Sequence, residues 1–293
     1  MRRTLPYLLS LPALLVCIGI LIPFFTAAYY SMMRFRLNLP MLKGFIWFDN
    51  YIAFAQRRHV LAHGRRFARS MPALTVGLEL MLGLGIALLL QKPTRFNNAA
   101  SILLLLPLMT APALAALMWK LMTNPNFGIL SYLVSLARHH RFQMGVGPGL
   151  GARSRSCSWT SGSTRPSSMI LLLAGLRSLP KQPFEAAALD GVPRSFVFFR
   201  ITLPMLMPYI ITATLFRLLD SIQQFDIIYP MTQGGPGDTL LVFQVRSYLE
   251  FFQYTNVGKS AAILMVLWAI TYFLSNIFIK HWLKLRERTR GHG

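Results

Sequence analysis

The stretch EAAALDGVPRSFVFFRITLP, Glu185–Pro204, lies between two very hydrophobic regions of the chain. Its first half is polar and rich in alanine, a strong helix former, and its second half is apolar. Pro183 suits a first helical turn, the helix dipole favours a carboxylate at Glu185, and Gly191 suits the left-handed residue that ends a helix. We therefore predict a short helix, a bend at the glycine and a second short helix over the amphipathic RSFVFFRI.

A helix as short as the first piece is marginal alone, because an isolated helix needs about 12–15 residues to be stable in water. We therefore expect it to dock on a partner surface. Its small alanine side chains would allow the backbone of that partner to approach closely. An interfacial amphipathic loop without any partner is the alternative, and composition alone does not separate the two.

The overall composition is that of a membrane protein. Of 293 residues, 54% are hydrophobic and 13% are charged, against about 25% charged in soluble domains. The mean hydropathy is +0.47. The excess of 30 basic over 9 acidic residues is expected in cytoplasmic loops that face anionic membrane lipid. Because no basic and aromatic pattern of a nucleic-acid-binding fold is present, we expect no nucleic-acid partner.

Apolar runs of the right length for membrane crossing recur along the chain. A spanning helix needs about 20 largely apolar residues. The run at the N-terminus, Thr4–Met33, is longer than the hydrophobic core of a signal peptide and lacks a clean cleavage site. We therefore interpret it as a spanning helix. A sixth run, Met169–Leu176, covers less than half of a span. The five longer runs are Thr4–Met33, Met71–Leu90, Ala99–Met122, Leu203–Ile228 and Ser260–Ile279.

The distribution of lysine and arginine between these runs predicts the orientation. Most basic residues near the runs fall on one side if the short sixth run also crosses the membrane. Arg34, Arg36 and Lys43 fall on the opposite side. The sequence thus predicts an all-α, polytopic protein with about six transmembrane helices. Residues 1–293 would form a single transmembrane domain with both termini in the cytoplasm, and Glu185–Gly191 would lie there too.

Two segments depart from this pattern, Arg57–Ser70 and Arg138–Ser168. Together they hold ten of the 30 basic residues, four of the six histidines and no acid. A GC-rich gene that is translated in the wrong reading frame gives a segment that is rich in arginine, glycine, serine and proline and contains no acids. We therefore hypothesise that 57–70 and 138–168 are local frameshifts, the second of which damages the fourth helix. Flexible basic loops are the alternative. The histidines lack a nearby acid or cysteine, so we expect no metal site.

Several ionisable or polar residues fall within or beside the run Leu203–Ile228, where such groups usually face a cavity. Amides and carboxylates bond sugar hydroxyls, and aromatic rings stack on the apolar face of a sugar. An Arg217–Asp220 pair that merely satisfies itself is the competing interpretation. Glu79 is expected to form a helix–helix hydrogen bond. The candidate substrate-pathway residues are Gln223, Gln224, Asp226 and Tyr229.

The spacing of the opening stretch resembles in full the EAA motif of the inner-membrane permease subunits of ABC importers. The residues that carry the motif are Glu185, Ala186, Ala187, Asp190, Gly191, Ile201, Leu203 and Pro204. Three further stretches resemble parts of carbohydrate-type permeases, namely Tyr229–Ala262, Val76–Leu90 and Leu103–Met122. The similarity covers about Tyr7–Gln56, Met71–Ala137 and Met169–Arg290.

This resemblance implies a permease subunit of a binding-protein-dependent carbohydrate importer in a bacterial inner membrane. The loop with the motif would be the coupling helix that docks on an ATPase subunit. The implied partners are ABC ATPase subunits, a second permease subunit and an extracytoplasmic solute-binding protein that docks on outer loops including Gly234–Asp238. The chain itself would be no enzyme and would bind no cofactor, since ATP is bound by the partner subunits. Val257–Ser260, VGKS, lacks the upstream glycine of a phosphate loop.

Two other functions remain open from the sequence. An ion-coupled secondary transporter would need coupling acids near the bilayer midplane, for which Glu79 is the only candidate. A non-functional permease remnant would follow if the two anomalous segments are real in the protein.

Overall fold

The computed structural model describes residues 5–56, 75–124, 126–137, 167–235 and 241–290, and they are almost entirely helical. A short antiparallel ladder pairs β1 (Met33–Arg34) with β2 (Gly44–Phe45). The predicted all-α class is confirmed. In chain order the helices are α1 Leu5–Ser31, α2 Asp49–Gln56, α3 Thr75–Leu89, α4 Arg95–Leu105, α5 Pro112–Met122, α6 Ile129–Ala137, α7 Ser167–Ser178, α8 Gln182–Leu189, α9 Arg194–Phe196, α10 Leu203–Ile222, α11 Phe225–Thr232, α12 Phe243–Phe252 and α13 Val257–Arg290.

Three stretches of the described chain are long and apolar enough to cross a membrane: Ser10–Ser31, Arg194–Thr232 and Val257–Lys284. A fourth span results if the bent pair of α4 and α5 is counted as one. The helices α3 and α7 are apolar but shorter than 18 residues. A polytopic helical membrane protein is thus confirmed, while six crossings stay a prediction. The anomalous segment 57–70 lies outside the described residues, as does 138–166, and the single-domain prediction stays a prediction.

Two of the predicted helices are broken in the structure. The run Ala99–Met122 was expected as one span, but its two halves, Arg95–Met109 and Pro112–Met122, meet at a bend of 86° that directly follows a 3₁₀ turn, Leu106–Met109. Pro107 and Pro112 lie at this break, where each lacks the N–H that a continuing helix would need. The run Leu203–Ile228 is likewise interrupted, because α10 ends at Ile222 and α11 begins at Phe225.

The contacts divide the chain into two units. The second unit, residues 62–242 with 271–293, has a core where α3, α7 and α10 meet. Ala87, Leu172 and Leu206 are almost completely buried there. Arg177 of α7 closes the C-terminal end of α3 by donating a 3.0 Å hydrogen bond to the carbonyl oxygen of Leu90. This bond satisfies one of the carbonyls that a helix end leaves without a partner.

The first unit, residues 1–61 with 243–270, packs α1, α2 and α12 with the start of α13. Asn50 is its central polar residue: its buried side-chain amide donates to the carbonyl oxygens of Ser31 at 2.8 Å and Met33 at 2.9 Å. Phe24 of α1 contacts Trp268 of α13, with 5.1 Å between ring centroids. The ends of α1 and the start of α13 therefore lie together, and the two helices run antiparallel.

We predict that Gly258→Ala destabilises the protein. Gly258 is in the first turn of α13, its N–H bonds the carbonyl oxygen of Phe35, and a methyl group there would overlap the backbone oxygen of Met33. Since the backbone would have to shift, we expect a cost of about 1–3 kcal/mol. The measurement is loss of monodisperse protein on heating in detergent. Gly85→Ala is the matched control, because nothing lies within 4 Å of a methyl group there. Equal behaviour of the two variants would contradict this prediction.

Candidate functional site

The helix α8 carries the first half of the opening stretch, and its N-terminal end has the predicted geometry. Pro183 lies in the first turn and Glu185 is the acidic residue of that turn. The amides of Phe184 and Glu185 both donate to the carbonyl oxygen of Lys181 at 3.0 Å. The exposed carboxylate of Glu185 thus stands at the positive end of the helix dipole, which stabilises it.

The C-terminal end of α8 is closed by a Schellman motif around Gly191. This glycine has φ +64°, in the left-handed region. Its N–H donates to the carbonyl oxygen of Ala188 at 3.3 Å, and the N–H of Val192 donates to that of Ala187 at 3.1 Å. The last carbonyls of the helix are therefore satisfied within the chain itself. Sequence reasoning predicted this stop correctly.

Most of the surface of α8 is open to solvent or to a partner. Ala187 is buried, whereas Glu185, Ala186, Ala188 and Asp190 are exposed. Leu189 is 90% exposed, an unusual state for a leucine beside a helix cap. Exposed apolar surface next to polar residues marks an interaction site or a lipid contact. The arrangement therefore presents a small, mostly flat apolar face with a carboxylate at each end.

The second half of the motif is not a separate short helix, which corrects the sequence prediction. Arg194–Phe196 continues directly into a π-helical segment, Val197–Thr202, and then into α10. Pro204 sits at the start of α10, where its missing N–H is tolerated. Ile201 is half-buried in the π-helical segment, against which α8 packs. The motif residues of α8 and those around Leu203 are thereby brought together.

The predicted substrate-pathway residues cluster at the break between α10 and α11. Gln223 caps the end of α10, and Gln224 precedes the first residue of α11. Asp226 is exposed in the first turn of α11, just beyond the break that follows Ile222. Tyr229 is half-buried and stacks on Phe225, with 5.2 Å between ring centroids and an interplanar angle of 11°. The break thus collects amides, a carboxylate and aromatic rings.

A buried ion network joins α3 to α10 close to this break. Arg217 is 3% exposed, and its Nε donates to Oε2 of the fully buried Glu79 at 2.7 Å. Its Nη1 donates to Oδ2 of Asp220 at 3.0 Å, although that carboxylate is 64% exposed. The predicted helix–helix bond of Glu79 and the predicted Arg217–Asp220 pair are both confirmed. Sequence reasoning missed that one guanidinium serves both.

The fold and these sites define a multi-pass helical membrane protein of the transporter class. The chain belongs to the family of binding-protein-dependent transport system inner membrane components, whose family model matches residues 79–289. It is therefore a permease subunit. The resemblance drawn from the EAA motif is confirmed at the level of the family.

Relatives align over nearly the whole chain. The trehalose/maltose transport system permease protein MalF of Thermococcus litoralis is 28% identical over 283 residues, covering 94% of this chain and 92% of the relative. The trehalose transport system permease protein SugA of Mycobacterium tuberculosis is 29% identical, covering 95% and 89%. A crystal structure of a bacterial ABC transporter involved in the import of the acidic polysaccharide alginate matches with a TM-score of 0.77 at 19% identity, covering 95% of this chain and 96% of that one. It supports the fold.

We predict that Glu79→Ala strongly destabilises the protein, whereas Asp220→Asn does not. Removing Glu79 leaves the buried charge of Arg217 with only the solvent-exposed carboxylate of Asp220 as its counter-charge, and breaking a buried ion pair costs about 3–5 kcal/mol. The exposed pair with Asp220 is worth at most about 1 kcal/mol. Thermal loss of monodisperse protein in detergent measures both effects.

The double variant Glu79→Leu/Arg217→Met provides the control. It removes both charges and keeps apolar volume, so we expect it to recover most of the stability that Glu79→Ala loses. The ion network is not the stabilising feature if Glu79→Ala and Asp220→Asn melt alike.

Proposed function

We propose that the chain is the permease subunit of an ABC importer that moves a carbohydrate across a bacterial inner membrane, driven by partner ATPase subunits. The capped and exposed helix α8 is the observation that carries this proposal. It presents Glu185, Ala186 and Ala188 on a two-turn helix whose end is fixed by Gly191. A short helix with such a surface is stable when it docks into a partner. We assign that partner as the ATPase subunit, as the EAA motif implies.

The basic residues around α8 support a cytoplasmic position for it. Arg177, Lys181, Arg194 and Arg200 flank the helix, and cytoplasmic loops carry an excess of lysine and arginine. The antiparallel course of α1 and α13 agrees with both chain ends lying on one side, which we assign to the cytoplasm. In this orientation Gly234 and Gly235 face outward, where we expect a solute-binding protein to dock, and the rest of the predicted docking loop, residues 236–238, lies outside the described residues.

The proposed mechanism follows from the placement of the elements. ATP binding closes the two ATPase subunits and displaces α8, and a second permease subunit completes the transmembrane pair. The displacement passes into α10 through the π-helical segment Val197–Thr202, because α8 packs against that segment. Rigid-body rocking then opens the pathway to the other side. This chain binds no nucleotide in the mechanism and performs no catalysis.

A carbohydrate is the substrate class that the break between α10 and α11 suits. Gln223, Gln224 and Asp226 offer amide and carboxylate groups to hydroxyls, and Tyr229 offers an aromatic ring. The relatives named for trehalose and maltose support the same class. We therefore propose these four residues as part of the substrate pathway.

The rival function, an ion-coupled secondary transporter, loses its candidate coupling acid. Glu79 is completely buried and bonded to Arg217, so its carboxylate is held as the counter-charge of a guanidinium. An acid that couples transport to protons has to release and accept a proton within a cavity.

The test of ATP-driven import uses the assembled transporter in proteoliposomes with labelled trehalose or maltose. We expect uptake that requires ATP inside the ATPase-facing compartment and survives collapse of the proton gradient by an uncoupler. Uptake that persists without ATP and stops with the uncoupler would establish the rival instead.

We further predict that Gly191→Val uncouples the permease from its ATPase, whereas Gly191→Asn does not. A β-branched residue at φ +64° costs about 1–2 kcal/mol, which is enough to unfold a marginal two-turn helix. Asparagine tolerates the left-handed conformation and keeps the cap. Co-purification of the ATPase and ATP-driven uptake are the measurements. The docking role of α8 is refuted if the valine variant retains both.

A further inference from the structure

The first unit contains a pocket of about 340 Å³ that the proposed function leaves unexplained. It lies between the turn after α1, the start of α2 and the first turn of α13. Three basic side chains line it, together with one acid and two amides. These lining residues are Arg34, Arg36, Lys259, Asp49, Asn50 and Asn256.

The backbone around this basic pocket is held firmly. Arg34 is in β1, paired with Gly44, and Arg36 forms an antiparallel bridge with Asn256. The next residue, Leu37, donates its N–H to the carbonyl oxygen of Thr255 at 2.9 Å. The two arginines and the start of α13 therefore share one hydrogen-bonded frame. A ligand that binds here meets two exposed cationic side chains whose backbone is already positioned.

The charge in the pocket is unbalanced. Within the described part of the chain, no carboxylate lies within ion-pair distance of Arg34, Arg36 or Lys259. Asp49, which also lines the pocket, is exposed and offsets one of the three positive charges. Like charges around one concavity repel each other and attract an anion. The side chains that line the pocket therefore carry a net positive charge.

The position of the pocket runs against the usual charge distribution of membrane proteins. Arg34 and Arg36 follow the C-terminal end of the apolar helix α1, so they lie on the side of the membrane opposite to the start of that helix. In the proposed orientation that side is extracytoplasmic, where lysine and arginine are normally scarce. A basic cluster on that side is suited to an anionic partner there.

The surface beside the pocket is also suited to a protein partner. Met41 is 97% exposed and Trp47 is 66% exposed, and Leu39 and Leu42 line the pocket itself. Trp47 holds a φ of +52°, a backbone conformation that costs a bulky residue about 1–3 kcal/mol. Methionine, tryptophan and arginine are enriched where protein interfaces carry most of their binding energy.

We propose that this basic pocket receives an aspartate or glutamate side chain of the extracytoplasmic solute-binding protein when that protein docks. The inference rests on the proposed function, because it needs the docking partner and the orientation given there. An arginine guanidinium matches a carboxylate with two parallel hydrogen bonds, and two arginines on a fixed frame give that match directionality. The pocket would therefore set the register of docking as well as its rate.

The test compares two variants of the assembled transporter in nanodiscs of uncharged phosphatidylcholine. Arg34→Gln/Arg36→Gln removes the guanidinium groups and leaves their backbone hydrogen bonds intact. Lys43→Gln is the matched control, because it removes a charge from the same loop but from a side chain that sits on the Phe35 ring, 4.0 Å from its centroid, outside the pocket. The measured quantity is the concentration of the solute-binding protein encoded with this chain that half-saturates stimulation of ATP hydrolysis.

We expect the double variant to raise this half-saturating concentration about tenfold at low salt, with an unchanged maximal rate. The difference should shrink at high salt, because screening weakens contacts between exposed charges. Lys43→Gln should stay within about twofold of the unmodified protein, as expected for an exposed charge that lies outside the pocket. Arg34→Lys/Arg36→Lys, which keeps the charge, should recover most of the affinity and shows that the pocket still folds.

Three results would overturn the inference. The first is a double variant that leaves docking unchanged while the unmodified complex is stimulated normally. The second is an equal loss in the Lys43→Gln control, which would reduce the effect to general charge. The third is an effect on basal ATP hydrolysis that needs anionic phosphatidylglycerol and no binding protein, which would make the occupant a lipid headgroup. Failure of the proposed function is a separate result, in which the unmodified complex itself is neither stimulated nor able to import on ATP.

Discussion

The absence of water in the hydrocarbon core of a membrane is the constraint on which this structure depends. A backbone amide there has to find its partner within the protein, and a helix provides that partner for every residue except those at its ends. The described chain is therefore helical nearly throughout, and the backbone groups at the helix ends need other partners. Where α3 ends, Arg177 supplies a donor; where α8 ends, the chain folds its own amides back around Gly191.

The same scarcity of water explains how the guanidinium of Arg217 is held in the second unit. A charge in an apolar core is stable when a counter-charge is bonded to it, and Glu79 fulfils this for Arg217. The pair ties α3 to α10 close to the break where candidate substrate residues collect. This carboxylate therefore serves as the counter-charge that holds the two helices together.

The sequence predicted features that depend on local chemistry and missed those that depend on distant partners. The start of α8 is indicated by Pro183 and Glu185, and its end is indicated by Gly191. Each of these residues affects the backbone of the helical turn in which it lies, so the sequence alone reveals its effect. The breaks at Pro107 to Pro112 and at Gln223 were missed because a hydropathy profile reports only how apolar a stretch is. It contains no information on whether the backbone continues in one direction or bends. Glu79 and Arg217 stand 138 residues apart, so their bond follows only from the tertiary fold. Lys259 likewise reaches the two arginines of the first unit only through folding.

The continuity of the helix after the Gly191 bend has a mechanical consequence. From Arg194 to Ile222 the backbone is helical without an intervening loop, although it includes the π-helical segment Val197–Thr202 and Pro208, and it is roughly 40 Å long at 1.5 Å per residue. A lever of that length amplifies small rotations: a tilt of about 5° at one end carries the other through roughly 3–4 Å, more than the width of a water molecule. In the proposed mechanism, a tilt that α8 imposes at the inner end of this helix therefore produces its largest displacement at the end that carries Arg217.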